Sequence, residues 1–499
     1  MNKTFIQYFQ WYVPKDGTFW KKFQADVPRL RQLGITAAWL PPAYKGLKGS
    51  ASEGYDVYDL YDLGEFDQKG TVATGYGSLQ DYAAACKTAQ QEGLEIVIDV
   101  VLNHKGGGDD TETVTVRRVD PENRNHYVGE PEQIETYTKF TFPGRNGRHS
   151  TFTWDHTCFS GVDRSAGTDP DSNKEVIYAL QNGHDTPWST DVNNTQKGNF
   201  DYLLLCDIDF RNPQVQQEMK DWIRWYYHTV PFNGVRLDAV KHISYHFFNE
   251  WLDFLRTEVN PDIYAIGEYW LSDDLQVLLE YIDHNAGRMS LFDAPLHHNF
   301  AEASRHGAAF DLRTILDNSL VLARPSFAIT FADNHDTQPL QSLEEWVETW
   351  FKVHAYAIIL LRKDGTPCVF YGDLYGARYN DRNKSGYDCC VQLPPMTHLP
   401  LLVQLRSTHA YGTQRDYFAK HHLIGWTREG HTGQRNACAV VLSNDRAGAI
   451  LMYVGIAYAG TTFTDALGNS PETVVINEEG CAAFPVQARS VSVWIPAGG

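Results

Sequence analysis

The chain has 499 residues, 42% hydrophobic and 21% charged, proportions of a globular protein with enough material for two or three domains. Its 62 acidic residues against 43 Lys and Arg leave a formal charge of -19, which repels a phosphate backbone and an anionic bilayer, so nucleic acid and membrane are not expected as partners. The start MNKTFIQYFQWYVP lacks the apolar core and small-residue cleavage site of a secretion leader, and the eight cysteines lack zinc or redox spacing. A cytoplasmic protein with free thiols, acting as a monomer, is the expectation.

In chain order, TFIQYFQWY, ITAAWLPP and LEIVIDVVLNH are apolar runs of strand character separated by helical patterns, the first ending at Leu33 and the second running from Leu79 to Glu92. This β-α-β-α-β rhythm predicts a parallel sheet with crossover helices. Pro28 after Asp26 suits the opening turn of the first helix. From residue 105 the rhythm stops for about a hundred residues rich in Gly, Asp, Asn and Thr, with short strand-like pieces such as YTKFTF; a stretch of that length is a domain of its own or a functional excursion.

The rhythm resumes with VRL, YAIGE, MSLFD, SFAITFADNH and TPCVFYG, the last preceded by a helix from Trp346 to Leu361. Three strands, an insertion and five more strands predict an α/β protein built on a (β/α)8 TIM barrel, with residues 1–104 and 207–401 in the barrel and 105–206 inserted after strand three. From 402 to 499 the pattern becomes strands alone, among them HLIGWT, ACAVVLS, ILMYVG and SVSVWI, which predicts a C-terminal antiparallel β-sandwich.

Catalytic groups of such barrels lie at the C-terminal ends of the strands. Those ends carry Asp99, Asn103 and His104 on strand three, Arg236 and Asp238 on strand four, Glu268 on strand five, and Asn334, His335 and Asp336 on strand seven. Each residue alone reads as a cap or a surface ion pair; as a set at equivalent strand ends they read as a site. Arg236 and Asp238, two residues apart, share a strand face, so the guanidinium is expected to hold Asp238 ionised and lower its pKa. Glu268, between Ile266, Gly267, Tyr269 and Trp270, is expected to be pushed up. One ionised and one protonated carboxyl is the division of labour of a retaining glycosidase.

DVVLNH at 99–104, GVRLDAVKH at 234–242, GEYW at 267–270 and FADNHD at 331–336 resemble, in order, the four characteristic regions of the α-amylase family of glycoside hydrolases. LLLCDID at 203–209, GYDVYDLYDLGEFDQKGTV and GWTREG extend the likeness over nearly the whole chain, toward the liquefying bacterial α-amylases and their intracellular relatives. The resemblance implies an endo-acting retaining hydrolase of internal α-1,4-glucosidic bonds in starch, glycogen and maltooligosaccharides. It implies Asp238 as nucleophile, Glu268 as acid/base and Asp336 as third carboxylate, with Tyr55, His104, Arg236, Lys241, His242 and His335 around the substrate. It also implies a structural calcium held by Asn103, Asp201, Asp207 and the backbone carbonyl of His242, and a second metal at Asp163 and Asp209. For that second site an acidic ligand is missing near Trp188, where Ser189 and Thr190 stand. The residues leave two other functions open, a 4-α-glucanotransferase using the same intermediate and a catalytically inactive carbohydrate-binding protein.

Overall fold

A computed structural model describes residues 2–167, 176–431, 433–434 and 436–498. Eight short parallel strands close into a barrel: β1 (Phe5–Gln7), β2 (Ala37–Trp39), β3 (Glu95–Val100), β4 (Gly234–Leu237), β5 (Tyr264–Gly267), β6 (Ser290–Phe292), β7 (Ala328–Phe331) and β8 (Thr366–Phe370). β1 pairs with both β2 and β8, which leaves no free edge. These are the strands expected from the sequence, and almost every residue in them is buried because side chains fill the barrel on one face and meet helices on the other.

A helix follows each strand: α1 (Phe19–Leu33), α2 (Leu79–Gln91), α3 (Pro213–Thr229), α4 (Tyr245–Phe254), α5 (Leu275–His284), α6 (Ala294–His306), α7 (Thr349–Leu361) and α8 (Leu399–Thr408). Two helix expectations need correction. α1 starts at Phe19, so Pro28 lies inside it, and Asp26 is no cap but accepts a hydrogen bond from Tyr8 Oη at 3.1 Å. α8 extends to Thr408, so the strands-only region begins at Gln414 rather than 402.

The insertion forms a six-stranded sheet from His104–Lys105 to Cys206–Ile208. It is dominated by a long hairpin, Asp110–Asp120 with Asn123–Lys139, where the sequence suggested only short pieces. Thr, Glu and Arg alternate there with a few valines, so much of the ribbon is solvated and its composition resembles that of a loop. At the other end, a six-stranded antiparallel sheet packs on a two-stranded antiparallel sheet of Gly448–Tyr453 and Cys481–Val486. Leu423, Val441, Met452, Phe463, Phe484 and Trp494 form their shared core. Among the described residues no helix is long and apolar enough to cross a membrane, and all eight cysteines are free.

Candidate active site

Parallel register builds the floor of the site. Pairing of β4 with β3 sets Arg236 opposite Asp99, and pairing with β5 sets Leu237 opposite Gly267, so Asp238 and Glu268 leave adjacent strands at the same level. The ladder continues one step past the strands, with Asp238 N–H donating to Val100 O at 3.0 Å and Glu268 N–H to Leu237 O at 2.9 Å. The chain then turns sharply: Ala239 has φ 50° and ψ 39°, a left-handed conformation that costs a residue with a Cβ about 1 kcal/mol. That turn delivers the Ala239 N–H to Glu268 Oε2 at 3.3 Å.

Arg236 is fully buried and serves three carboxylates. Its Nη1 donates to Asp238 Oδ1 at 2.7 Å and to Asp99 Oδ1 at 2.9 Å, and its Nη2 lies 2.7 Å from Glu268 Oε2, an ion contact without hydrogen-bond alignment. Asp99 is held in turn by Trp39 Nε1 at 2.9 Å and Tyr55 Oη at 2.7 Å. This corrects the expectation for Asp238. Its pKa is raised, because removal from water outweighs the Arg236 guanidinium and the nearby Asp99 charge adds to the rise. Glu268 is raised by burial as expected, although Arg236 and not only apolar groups lies beside it.

Asp336 comes from the turn after β7, where Asn334 Oδ1 accepts the backbone N–H groups of Asp336 and Thr337 at 2.8 and 2.9 Å. Burial and the charges of Glu268 and Asp238 push its carboxyl well above the usual range. His335 is buried against Gln7, with 2.8 Å between Gln7 Nε2 and Nδ1, and its Nε2 lies 3.4 Å from Asp336 Oδ2. Burial keeps both His335 and His104 neutral at pH 7. His104 Nε2 bonds Tyr55 O at 2.8 Å, leaving a buried Nδ1 without a partner. The Tyr55 ring stacks on His335 at 5.1 Å and on Trp11 at 5.7 Å, so three nearly parallel rings form one wall.

These groups line one cavity of about 550 Å³. It holds Asp238, Glu268, Asp336, Tyr55, His104, His335, Lys241 and His242, with Trp11, Trp270, Leu203, Leu204 and Leu343 as apolar walls. Lys241 Nζ donates to Trp270 O at 2.9 Å and Gln196 Oε1 at 3.1 Å, and burial brings its pKa down to about 8. His242 Nδ1 lies 2.6 Å from Phe200 O. Asp99 stands in the strand-end set of the sequence without a role until register places it against Arg236, and Trp11 went unassigned because it lies in an apolar run that reads as core.

The comparisons with known proteins agree with this geometry. A profile of the α-amylase catalytic domain matches residues 24–392, and one of the α-amylase C-terminal domain matches 438–495. The chain belongs to the α-amylase family. It is 46% identical to an α-amylase of Geobacillus stearothermophilus, over 99% of this chain and 87% of the relative. It is 42% identical to the cytoplasmic α-amylase of Escherichia coli over 99% of each. An Anoxybacillus α-amylase structure, 18% identical, superposes with a TM-score of 0.62 over 100% of this chain and 98% of that one, a likeness of fold.

The α-amylase family implies a cation beside the cleft, and the residues for one site fit. Asn103 Oδ1 is buried without a hydrogen-bond partner, while Asn103 Nδ2 donates to Asp207 Oδ1 at 3.1 Å and Ser160 Oγ bonds Asp207 Oδ2. Asp201 and Asp207 are both buried, and mutual repulsion adds to burial in raising the Asp207 carboxyl well above its usual range. A lone oxygen and two crowded carboxylates suit a hard cation such as calcium. The second site does not fit. Asp163 Oδ2 accepts Leu205 N–H at 2.8 Å, and Asp209 is engaged by Arg211 and His184.

Proposed function

We propose that the protein is an endo-acting retaining α-amylase that hydrolyses internal α-1,4-glucosidic bonds of starch, glycogen and maltooligosaccharides. The observation that carries this reading is the single Arg236 guanidinium contacting both Asp238 and Glu268, each at 2.7 Å. Two carboxyls bound to one fork are close together, in keeping with the spacing of about 5 to 5.5 Å used in retention rather than the about 6.5 to 9.5 Å that inversion needs for a water.

In this reading Glu268 gives its proton to the glycosidic oxygen while Asp238 attacks the anomeric carbon, forming a glycosyl ester. Water, deprotonated by Glu268, then breaks that ester. The hydrogen bond and the charge of Arg236 favour the anionic form of Asp238 and oppose the burial that raises its pKa. Asp336 and the neutral His104 and His335 hold sugar hydroxyls, and the Tyr55 ring supports the apolar face of the ring being cleaved. Lys241 and His242 line the leaving-group side.

Calcium held by Asn103, Asp201, Asp207 and the His242 carbonyl would join the barrel to the insertion and brace the cleft wall. A cytoplasmic location is supported by the likeness to the cytoplasmic α-amylase of Escherichia coli and by the eight free cysteines. The test is a product time course from maltopentaose with the native protein and Asp238→Asn. Shorter products only, abolished in the variant, are expected; early products longer than the substrate would instead assign a glucanotransferase, and residual cleavage by the variant would remove Asp238 as nucleophile.

A further inference from the structure

Asp209 is one of three buried acidic residues, with Asp201 and Asp207, at the junction of barrel and insertion. The guanidinium of Arg211 is wrapped in oxygen. Nε donates to Asp209 Oδ1 at 2.8 Å and Nη2 to Asp209 Oδ2 at 2.9 Å, a bidentate pair. Nη1 reaches Thr186 O at 2.8 Å and Nη2 also reaches Pro187 O at 3.1 Å. His184 Nε2 closes on Asp209 Oδ2 at 3.2 Å. One bidentate carboxylate and two main-chain carbonyls are the donors a hard metal ion selects, and here they surround a planar, permanently charged organic cation.

We propose that Arg211 takes the place of a second metal ion, so that the protein binds a single calcium and the loop of residues 184–189 is held to the acidic cluster by the chain's own guanidinium. A free cation entering at Asp209 would face a fixed positive charge tied to the same carboxylate, and the carbonyls it would need are already engaged. The placement has a further consequence. The loop ends at Ser189, whose N–H donates to Asp201 Oδ2 at 3.1 Å and whose carbonyl accepts from Asn199 Nδ2 at 2.7 Å. Arg211 therefore fixes one end of a segment whose other end orients a ligand of the remaining site, which makes it a positioning residue for that site.

The inference rests on the calcium reading above only for the metal count, so two measurements are needed. Elemental analysis of protein saturated with calcium and then desalted is expected to give one calcium per chain; two would overturn the proposal. Hydrogen exchange at residues 184–189 reads the clamp directly. Protection in the native protein is expected to survive EDTA, whereas Arg211→Gln loses it by about tenfold or more with calcium present, because charge-assisted bonds are removed. Arg211→Lys, a charge without the fork, is expected to fall between the two and guards against a misfolded Gln variant. Protection lost to EDTA but indifferent to Arg211→Gln would overturn the proposal. A calcium count of zero would overturn the calcium reading, and exchange in Arg211→Gln would then decide on Arg211 alone.

Discussion

Arg236 and Asp99 form an ion pair of 2.9 Å with both side chains sealed from solvent, in the strand register that places them side by side. Asp99 touches no substrate-facing space, yet it joins Arg236, Trp39 and Tyr55 and so anchors both the carboxylate orienter and the aromatic wall. Removing one partner of a buried charge network costs about 3–5 kcal/mol. Asp99→Ala is therefore expected to lower the melting temperature and depress activity together. A variant that melts like the native protein would show that Arg236 is anchored by Asp238 and Glu268 alone.

Glu268 is buried and raised, as a proton donor at neutral pH requires. Replacing it with Gln keeps the volume and removes the proton. Hydrolysis of maltooligosaccharides is expected to fall by about 10²–10⁴-fold. A glycosyl fluoride, whose leaving group departs without protonation, is expected to form the intermediate at a rate much nearer the native one. Equal losses on both substrates would mean that Glu268 does not act as the acid.

The barrel was legible because each strand is a short apolar run and each crossover a helical pattern, and the polar residues that break the pattern mark the strand ends. Alternation along GVRLD showed that Arg236 and Asp238 share a face. It could not show that β3 presents Asp99 to the same guanidinium, since that depends on inter-strand register. For the same reason the expected depression of Asp238 failed: the stabilising Arg is local in sequence, while the burial that outweighs it comes from the whole barrel. The long hairpin of the insertion was missed because its exposed, charged residues hide the β pattern, and the role of Arg211 because its carbonyl partners, Thr186 and Pro187, lie on a loop about 25 residues earlier.

His354 on α7 ties the barrel to the C-terminal domain by a contact of 3.0 Å between Nε2 and Ser443 O, and burial takes its pKa from 6.5 down to about 4. In the unfolded chain the ring binds a proton near 6.5 and in the folded protein only near 4. Acid therefore favours unfolding: this contribution is intact above pH 6.5, drains away as pH falls to 4 and is constant below. His354→Gln, which keeps a donor but cannot titrate, is expected to melt below the native protein at pH 7 and to close that gap by pH 4. Parallel melting curves across the window would exclude His354 as a source of acid sensitivity.

The pairing of Asn103 with Asp207 predicts how stability depends on calcium. Without a cation, two buried carboxylates repel and Asn103 Oδ1 is unpaired, each a cost that coordination would remove. Calcium bound only by the folded state adds about 2.7 kcal/mol at a hundred times its dissociation constant, rising with the logarithm of concentration. EDTA is therefore expected to lower the melting temperature, and added calcium to restore it. Asp207→Asn, with one charge removed, is expected to respond less to both while melting higher than the native protein when both are stripped, because the repulsion is gone. If EDTA leaves the native melting temperature unchanged, the carboxylate pair must be neutralised by protonation instead, and the site holds no ion.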